Sequence, residues 1–147
     1  SGGTSGGIYC SNSRATIANN IITNCSTASG SGGAIYLSGG AVVVTNNLIY
    51  KNSALQGSGG GVYCYVCGGD TTIVGNTIVD NKASQGGGIY VYNCSAYMQI
   101  VNNIVAFNSS GLGGLGFSPD SGYNCVWKNS IELPSASLTT AFFHDRV

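Results

Sequence analysis

The ionisable side chains are the first place to look for chemistry, and this chain has few of them. Charged residues make up 7% of its 147 residues, and they balance to a formal net charge of zero. The acids are Asp70, Asp80, Asp120, Glu132 and Asp145. Glycosidic hydrolysis needs two carboxyl groups that flank one bond, yet no two of these acids share a position in the repeat described below. The sequence therefore favours a protein without catalytic residues over an enzyme, and it predicts no cofactor.

The six cysteines could support metal or disulfide chemistry. Cys64 and Cys67 have the Cys-x-x-Cys spacing of redox and zinc motifs, but there is no second such pair and only one histidine. We therefore predict no metal site. Cys67 and Cys94 are 27 residues apart, which is one period of the repeat, and we predict a disulfide between them. Six cysteines fit an oxidising compartment, so we expect an extracellular or cell-surface protein.

A repeat must position these residues. A β-branched residue followed by Tyr recurs after a glycine pair, with Ala34 intervening once, at intervals of 27 residues: Ile8-Tyr9, Ile35-Tyr36, Val62-Tyr63 and Ile89-Tyr90. The motif Asn-x-Ile/Val-x-x-Asn follows each copy and occurs once more. Short β-branched runs separated by Gly, Asn and Ser, without helical periodicity, predict an all-β fold. A period of this length indicates a solenoid, here a parallel β-helix of about five coils with about three strands in each.

The second motif predicts an asparagine ladder at the bends. Each side-chain amide could bond the turn backbone and the amide one coil away. The predicted ladder contains the pairs Asn19/Asn24, Asn47/Asn52, Asn76/Asn81, Asn103/Asn108 and Asn124/Asn129. Lys51 and Asp80 share a position on adjacent coils, where we predict an exposed ion pair of less than about 1 kcal/mol.

Alternation along the strands predicts two outward rows. The outer tyrosine face consists of Tyr9, Tyr36, Tyr63 and Tyr90, with Tyr65 and Tyr92 beside them. Three roles stay open for it: a ladder that only stabilises the sheet, a contact with another protein, and carbohydrate binding. The second row, which we call the assembly strip, consists of Ile22, Tyr50, Val79, Ala106 and Trp127. Because it is apolar, we predict that it forms a protein contact.

The Gly-Gly-Ile-Tyr motif, the Asn-Asn-Ile-Val motif and the closing Tyr123-Asn124-Cys125-Val126-Trp127 resemble the right-handed parallel β-helix proteins. This pectate-lyase-like superfamily is widespread among secreted bacterial proteins. The resemblance covers roughly residues 6–130 and implies right-handed coiling. It does not select an activity, because the same coil carries lyases, hydrolases, epimerases and adhesins. Its polysaccharide-cleaving members use clustered carboxylates on an outer strand face, and this chain lacks such a cluster.

The expected organisation is one β-helix over residues 1–130, with residues 131–147 as a tail that caps the coils or docks elsewhere. We expect an extracellular structural or adhesive module that self-associates laterally or end to end, in the latter case as a filament. The alternative is a carbohydrate-binding or polysaccharide-lyase-like protein that uses the outer tyrosine face. A net charge of zero argues against a nucleic-acid partner. No apolar run approaches the roughly 20 residues that membrane insertion as a helix requires.

Overall fold

The computed structural model describes residues 4–115 and 122–130, and it is an all-β solenoid of about four turns. The first coil contains β1 (Ile8–Ser11), β2 (Thr16–Ala18), β3 (Ile21–Thr23) and β4 (Ser26–Thr27). The second contains β5 (Ile35–Ser38), β6 (Val43–Thr45), β7 (Leu48–Tyr50) and β8 (Ser53–Ser58). The third contains β9 (Val62–Tyr65), β10 (Thr72–Val74), β11 (Thr77–Val79) and β12 (Lys82–Gln85). The fourth contains β13 (Ile89–Tyr92), β14 (Gln99–Val101) and β15 (Ile104–Ala106), and β16 (Leu112–Leu115) and β17 (Cys125–Trp127) follow.

The strands stack in four parallel sheets, so that each coil contributes one rung to sheets one, two and three, and the first three coils contribute one rung to sheet four. Sheet one has the order β1-β5-β9-β13-β16, and sheet two has the order β2-β6-β10-β14. Sheet three has the order β3-β7-β11-β15-β17, and sheet four has the order β4-β8-β12. The parallel solenoid and its period of about 27 residues are confirmed. The expectation of about three strands in each coil is wrong, because the residues after the second ladder asparagine form the short sheet four.

In-register pairing places equivalent residues above one another. Ile35 pairs with Val62, which pairs with Ile89, and all three side chains are completely buried. Sheet three contributes Ile49, Ile78 and Val105 to the same core, and sheet two contributes Val44, Ile73 and Ile100. Burial of each such side chain stabilises the fold by about 1.5–3 kcal/mol. The core is therefore one continuous apolar column inside the coils.

Glycines before the strands of sheet one allow the chain to enter each new coil. Gly59 and Gly86 have φ angles of 67° and 54°, in the left-handed region that glycine adopts without strain. A Cβ atom on Gly59 would also lie 2.5 Å from the carbonyl oxygen of Val62. A side chain at this position would therefore displace the strand that follows it.

In the first coil, the observed register differs from the predicted register by one residue. β3 pairs with β7 so that Ile22 lies opposite Ile49 and Thr23 lies opposite Tyr50. Ile22 is only 7% exposed, so its assignment to the outward assembly strip is wrong, and Thr23 takes that place. The motif spacing misplaced it because Cys25 replaces the second ladder asparagine in the first coil, so that the motif was matched to Asn19 and Asn24, one residue too early.

The predicted disulfide is also wrong, since all six cysteines are free thiols. Cys67 and Cys94 do occupy equivalent places on adjacent coils. The backbone N–H of Cys67 donates to the Sγ atom of Cys94 at 3.2 Å. The Sγ atom of Cys67 instead faces the carbonyl oxygens of Leu37 and Tyr65, each at 3.8 Å. These thiols therefore act as hydrogen-bonding groups at a bend.

The predicted tail, residues 131–147, lies outside the described residues, together with Asp120, Glu132 and Asp145. In the part of the chain that the structure describes, no helix is long and apolar enough to cross a membrane.

Candidate functional site: the outer faces of sheets one and three

Both outer faces are positioned by a bend that recurs between sheets. The residue after a strand takes a left-handed conformation, and a ladder residue follows it. Between sheets two and three the left-handed residues have φ angles of 53° to 67° and are Asn19, Asn46, Gly75, Asn102 and Tyr123. Asparagine and glycine adopt this conformation most readily. The bend fixes the direction in which the next strand presents its side chains.

The asparagine ladder holds these bends in register. Asn76 is representative: its Oδ1 atom accepts the backbone N–H and the Nδ2 group of Asn47, each at 3.0 Å. Its Nδ2 group donates to the carbonyl oxygen of Val44 at 2.9 Å and to Oδ1 of Asn103 at 3.0 Å. The same pattern continues through the eight predicted ladder residues of the second to fifth rungs, which are Asn47, Asn52, Asn76, Asn81, Asn103, Asn108, Asn124 and Asn129.

The first coil differs from the predicted ladder. Asn20, rather than Asn19, donates its backbone N–H to Oδ1 of Asn47 at 3.0 Å. The next ladder position is taken by Cys25, whose backbone N–H donates to Oδ1 of Asn52. Asn19 and Asn24 are therefore not ladder members. They are exposed left-handed residues, with φ angles of 59° and 56°.

A shorter ladder of thiols occupies the bend after sheet one. Cys67 and Cys94 make the backbone contacts that asparagines make at the other bends. A hydrogen bond with Cys64 raises the pKa of the Cys67 thiol to about 12. A hydrogen bond with Cys67, followed by burial, also raises the pKa of Cys94. Thiols held in the protonated form are poor nucleophiles and poor metal ligands.

The outer tyrosine face lies on sheet one, as the alternation predicted. Ring centroids are 5.2 Å apart for Tyr9 and Tyr36, 4.9 Å for Tyr36 and Tyr63, and 5.7 Å for Tyr63 and Tyr90. The first two pairs are tilted by 31° and 37°, whereas Tyr63 and Tyr90 are parallel within 3°. Gly113 occupies the same position on the fifth rung, so the row ends at Tyr90.

Tyr65 and Tyr92 form a second, shorter row on this face. Their centroids are 5.7 Å apart, the rings are parallel within 9°, and each residue is 39% exposed. Desolvation, with the neighbouring phenols, raises the pKa of Tyr63 to about 12. None of the six tyrosine hydroxyls bonds another described residue.

The outer face of sheet three is uncharged and largely apolar. One outward row contains Ile21, Leu48, Thr77, Ile104 and Cys125. The other contains Thr23, Tyr50, Val79, Ala106 and Trp127. Ile21 is 71% exposed and Ile104 is 47% exposed, which is unusual for isoleucine. No charged side chain stands in either row.

The last rungs of sheet three carry an exposed aromatic group. Phe107 and Trp127 pack edge to face, with ring centroids 5.5 Å apart. The Lys128 Nζ atom lies 4.5 Å from the centroid of the Trp127 ring, in a cation–π contact. The sequence motif missed Phe107 and Tyr123 because they stand in left-handed positions where other coils have Asn, Gly, Lys or Asp.

The few described charges do not form a cluster. Lys51 and Asp80 are neighbours in the left-handed row after sheet three, but no ion pair joins them, and the predicted pair is wrong. The Lys51 Nζ atom lies over the Tyr50 ring instead, 5.9 Å from its centroid. Among residues 4–115 and 122–130, no group of three or more His, Cys, Asp or Glu side chains could hold a metal ion.

Comparison with known proteins gives one match. A family model described as "Right handed beta helix region" matches residues 1–132. Curated proteins and solved structures gave no match.

Proposed function

Because this chain belongs to the right-handed β-helix family, we propose that it is a structural or adhesive module. The proposal rests on the uncharged, largely apolar outer face of sheet three. A monomeric protein seldom leaves contiguous apolar side chains in water unless they form a contact. The five-stranded face also repeats at the strand spacing of about 4.8 Å, so a partner with the same repeat could pack against it in register.

The energetics favour a weak contact that gains strength by repetition. Burial of one exposed isoleucine or leucine contributes at most about 1.5–3 kcal/mol. Association costs about 4–15 kcal/mol in lost translational and rotational freedom. Ile21, Leu48, Ile104 and Trp127 together would therefore give only modest affinity between two copies. Several copies along a lateral assembly or an end-to-end filament would multiply the number of such contacts.

Analytical ultracentrifugation over a concentration series, with electron microscopy of the same samples, tests this proposal. We expect reversible self-association or filaments for the wild type. The variant Ile104→Ser with Trp127→Ser should lose association while its circular dichroism spectrum is unchanged. The matched control, Val74→Ser with Val101→Ser on the outer face of sheet two, should associate like the wild type. A wild-type protein that stays monomeric at every concentration would refute the self-associating form of the proposal.

Carbohydrate binding at the outer tyrosine face is the second candidate, favoured by the exposed, stacked pair Tyr65 and Tyr92. Parallel rings at this separation are offset-stacked, so each ring covers part of the other's face. A sugar would consequently bind the ring edges and hydroxyls. Screening on a glycan array, followed by calorimetry, should then give binding that Tyr65→Ala with Tyr92→Ala abolishes and Tyr50→Ala retains. An array without hits would reject this candidate.

A further inference from the structure

We propose that Tyr65 and Tyr92 are a site of oxidative cross-linking, where a haem peroxidase with hydrogen peroxide joins the two phenol rings through a carbon–carbon bond. The product would be a covalent link between the third and fourth coils. This inference is independent of self-association through sheet three, because it depends on sheet one alone. The cross-linked product is a single chain with no bound partner.

The geometry of this pair favours coupling within one molecule. The residues pair directly across β9 and β13, with no register shift. Their centroids are 5.7 Å apart and the ring planes differ by 9°. Stacking at this distance holds the two phenol rings side by side on adjacent strands, so rotation about the side-chain bonds can bring together the carbon atoms beside the two hydroxyls. Both residues are equally exposed, so an oxidant can reach either ring.

The other pairs on the same face are less suited to the reaction. Tyr36 is more buried than Tyr9, and their rings are tilted by 31°. Tyr63 and Tyr90 are parallel, but loss of the Tyr63 phenol proton is disfavoured, since burial raises its pKa to about 12. A phenol must lose a proton as it loses an electron, so oxidation favours the ring whose hydroxyl gives up its proton more readily.

The rings also form one connected group. Tyr65 and Tyr92 are close enough to Tyr63 for their charges to raise its pKa further. Of the tyrosine pairs on this face, Tyr65 and Tyr92 are the pair that combines exposure of both rings with parallel stacking.

The reaction balances with peroxide as the oxidant. Each phenol gives up one electron and one proton to the peroxidase cycle, and the resulting phenoxyl radicals combine at the ring carbons beside their oxygens. The hydrogen on each of those carbons then passes through solvent to the phenol oxygen, which restores both aromatic rings. Hydrogen peroxide takes up the two electrons and two protons and becomes two molecules of water. The protein therefore loses two hydrogen atoms.

The test treats a dilute solution of the 147-residue chain with a plant haem peroxidase and hydrogen peroxide. A disulfide also costs two hydrogen atoms, so the products are reduced and alkylated before mass spectrometry, which leaves only the carbon–carbon link. We expect a monomer that shows dityrosine fluorescence and yields one dominant cross-linked peptide pair, containing Tyr65 and Tyr92. Its midpoint of unfolding in denaturant should rise, because the link joins two adjacent coils.

Two phenylalanine variants make the assignment specific. Tyr65→Phe keeps the stacked ring but removes its phenol, and it should lose most of the intramolecular dityrosine signal. Tyr36→Phe on the same face should keep that signal. Equal signal from Tyr65→Phe and the wild type would overturn the proposal. So would products that only join separate molecules through the far more exposed Tyr97 and Tyr123, at 75% and 85% exposure.

Discussion

Removing one amide from the centre of the asparagine ladder should cost much of the stability of the solenoid. In Asn76→Ala, Oδ1 no longer accepts the two N–H groups of Asn47. Nδ2 no longer donates to Val44, Val74 and Asn103, at distances of 2.9 to 3.2 Å. Two N–H groups serve those three acceptors, so about four hydrogen bonds are lost. At about 1 kcal/mol each, with an added cost for the buried N–H of Asn47 left unpaired, the loss is about 3–5 kcal/mol.

Asn20→Ala is the matched control for this prediction. Asn20 belongs to the same ladder but lies exposed on the first rung, where water can replace the bonds of its side chain. Its removal should cost only about 0.5–1 kcal/mol. Urea unfolding followed by circular dichroism gives both values. If Asn76→Ala is no less stable than Asn20→Ala, the ladder does not stabilise the fold through buried hydrogen bonds.

Three further predictions follow from burial and ionisation. Ile78→Asp should lower the free energy of unfolding by more than about 4 kcal/mol and prevent folding, because it buries an unpaired charge. Thr77→Asp, at the outward neighbour, should fold. Circular dichroism would report both outcomes. The pKa of Tyr63 is raised from 10.0 to about 12. The contribution of its neutral phenol to stability should therefore be complete below about pH 10 and lost as the pH rises through 12. In an absorbance titration, the ionisation step near pH 12 should be missing from Tyr63→Phe. An aromatic disulfide reagent should react rapidly with the exposed Cys125 and slowly with the buried Cys67, and equal rates would contradict the described burial.

The sequence predicted the parts of the fold that depend on periodicity. Strict alternation makes the inward positions recognisable, so Ile35, Val62 and Ile89 could be placed in the core, and the tyrosines beside them on the outer face. The stacking of equivalent residues follows from a constant period, because a parallel solenoid pairs each coil with the next in register. Sheet four was missed because its strands contain few β-branched residues.

The register of the first coil depended on a backbone conformation that the motif spacing did not include. Asn19 and Asn20 form a doublet like Asn46 and Asn47, in which the first residue is left-handed and the second joins the ladder. Counting back 27 residues from Asn47 reaches Asn20. The spacing to Asn24 favoured Asn19 instead, since Cys25 replaces the second ladder asparagine in this coil.

Residue type misled the prediction for the cysteines, whereas position would have indicated their role. Cys67 follows the left-handed Val66, as ladder asparagines follow left-handed residues at the other bends. At that position the Cys67 thiol faces two carbonyl oxygens, and the backbone N–H of Cys67 donates to the Sγ atom of Cys94 one coil away. Pairing two cysteines by period alone predicted a disulfide, because the spacing does not distinguish a bonded pair from two rungs of a ladder.

The fold leaves only its outward rows free to vary with function. Inward positions must be apolar, and bend positions must supply a left-handed residue followed by a hydrogen-bonding side chain. Outward positions on a solvated sheet have no such requirement, and sheet two fills several of them with threonine, as at Thr16, Thr45 and Thr72. Tyrosine on four successive rungs of sheet one, and exposed isoleucine such as Ile21 on sheet three, are not needed for coiling. These two faces are therefore where contact, ligand binding or covalent modification should be sought.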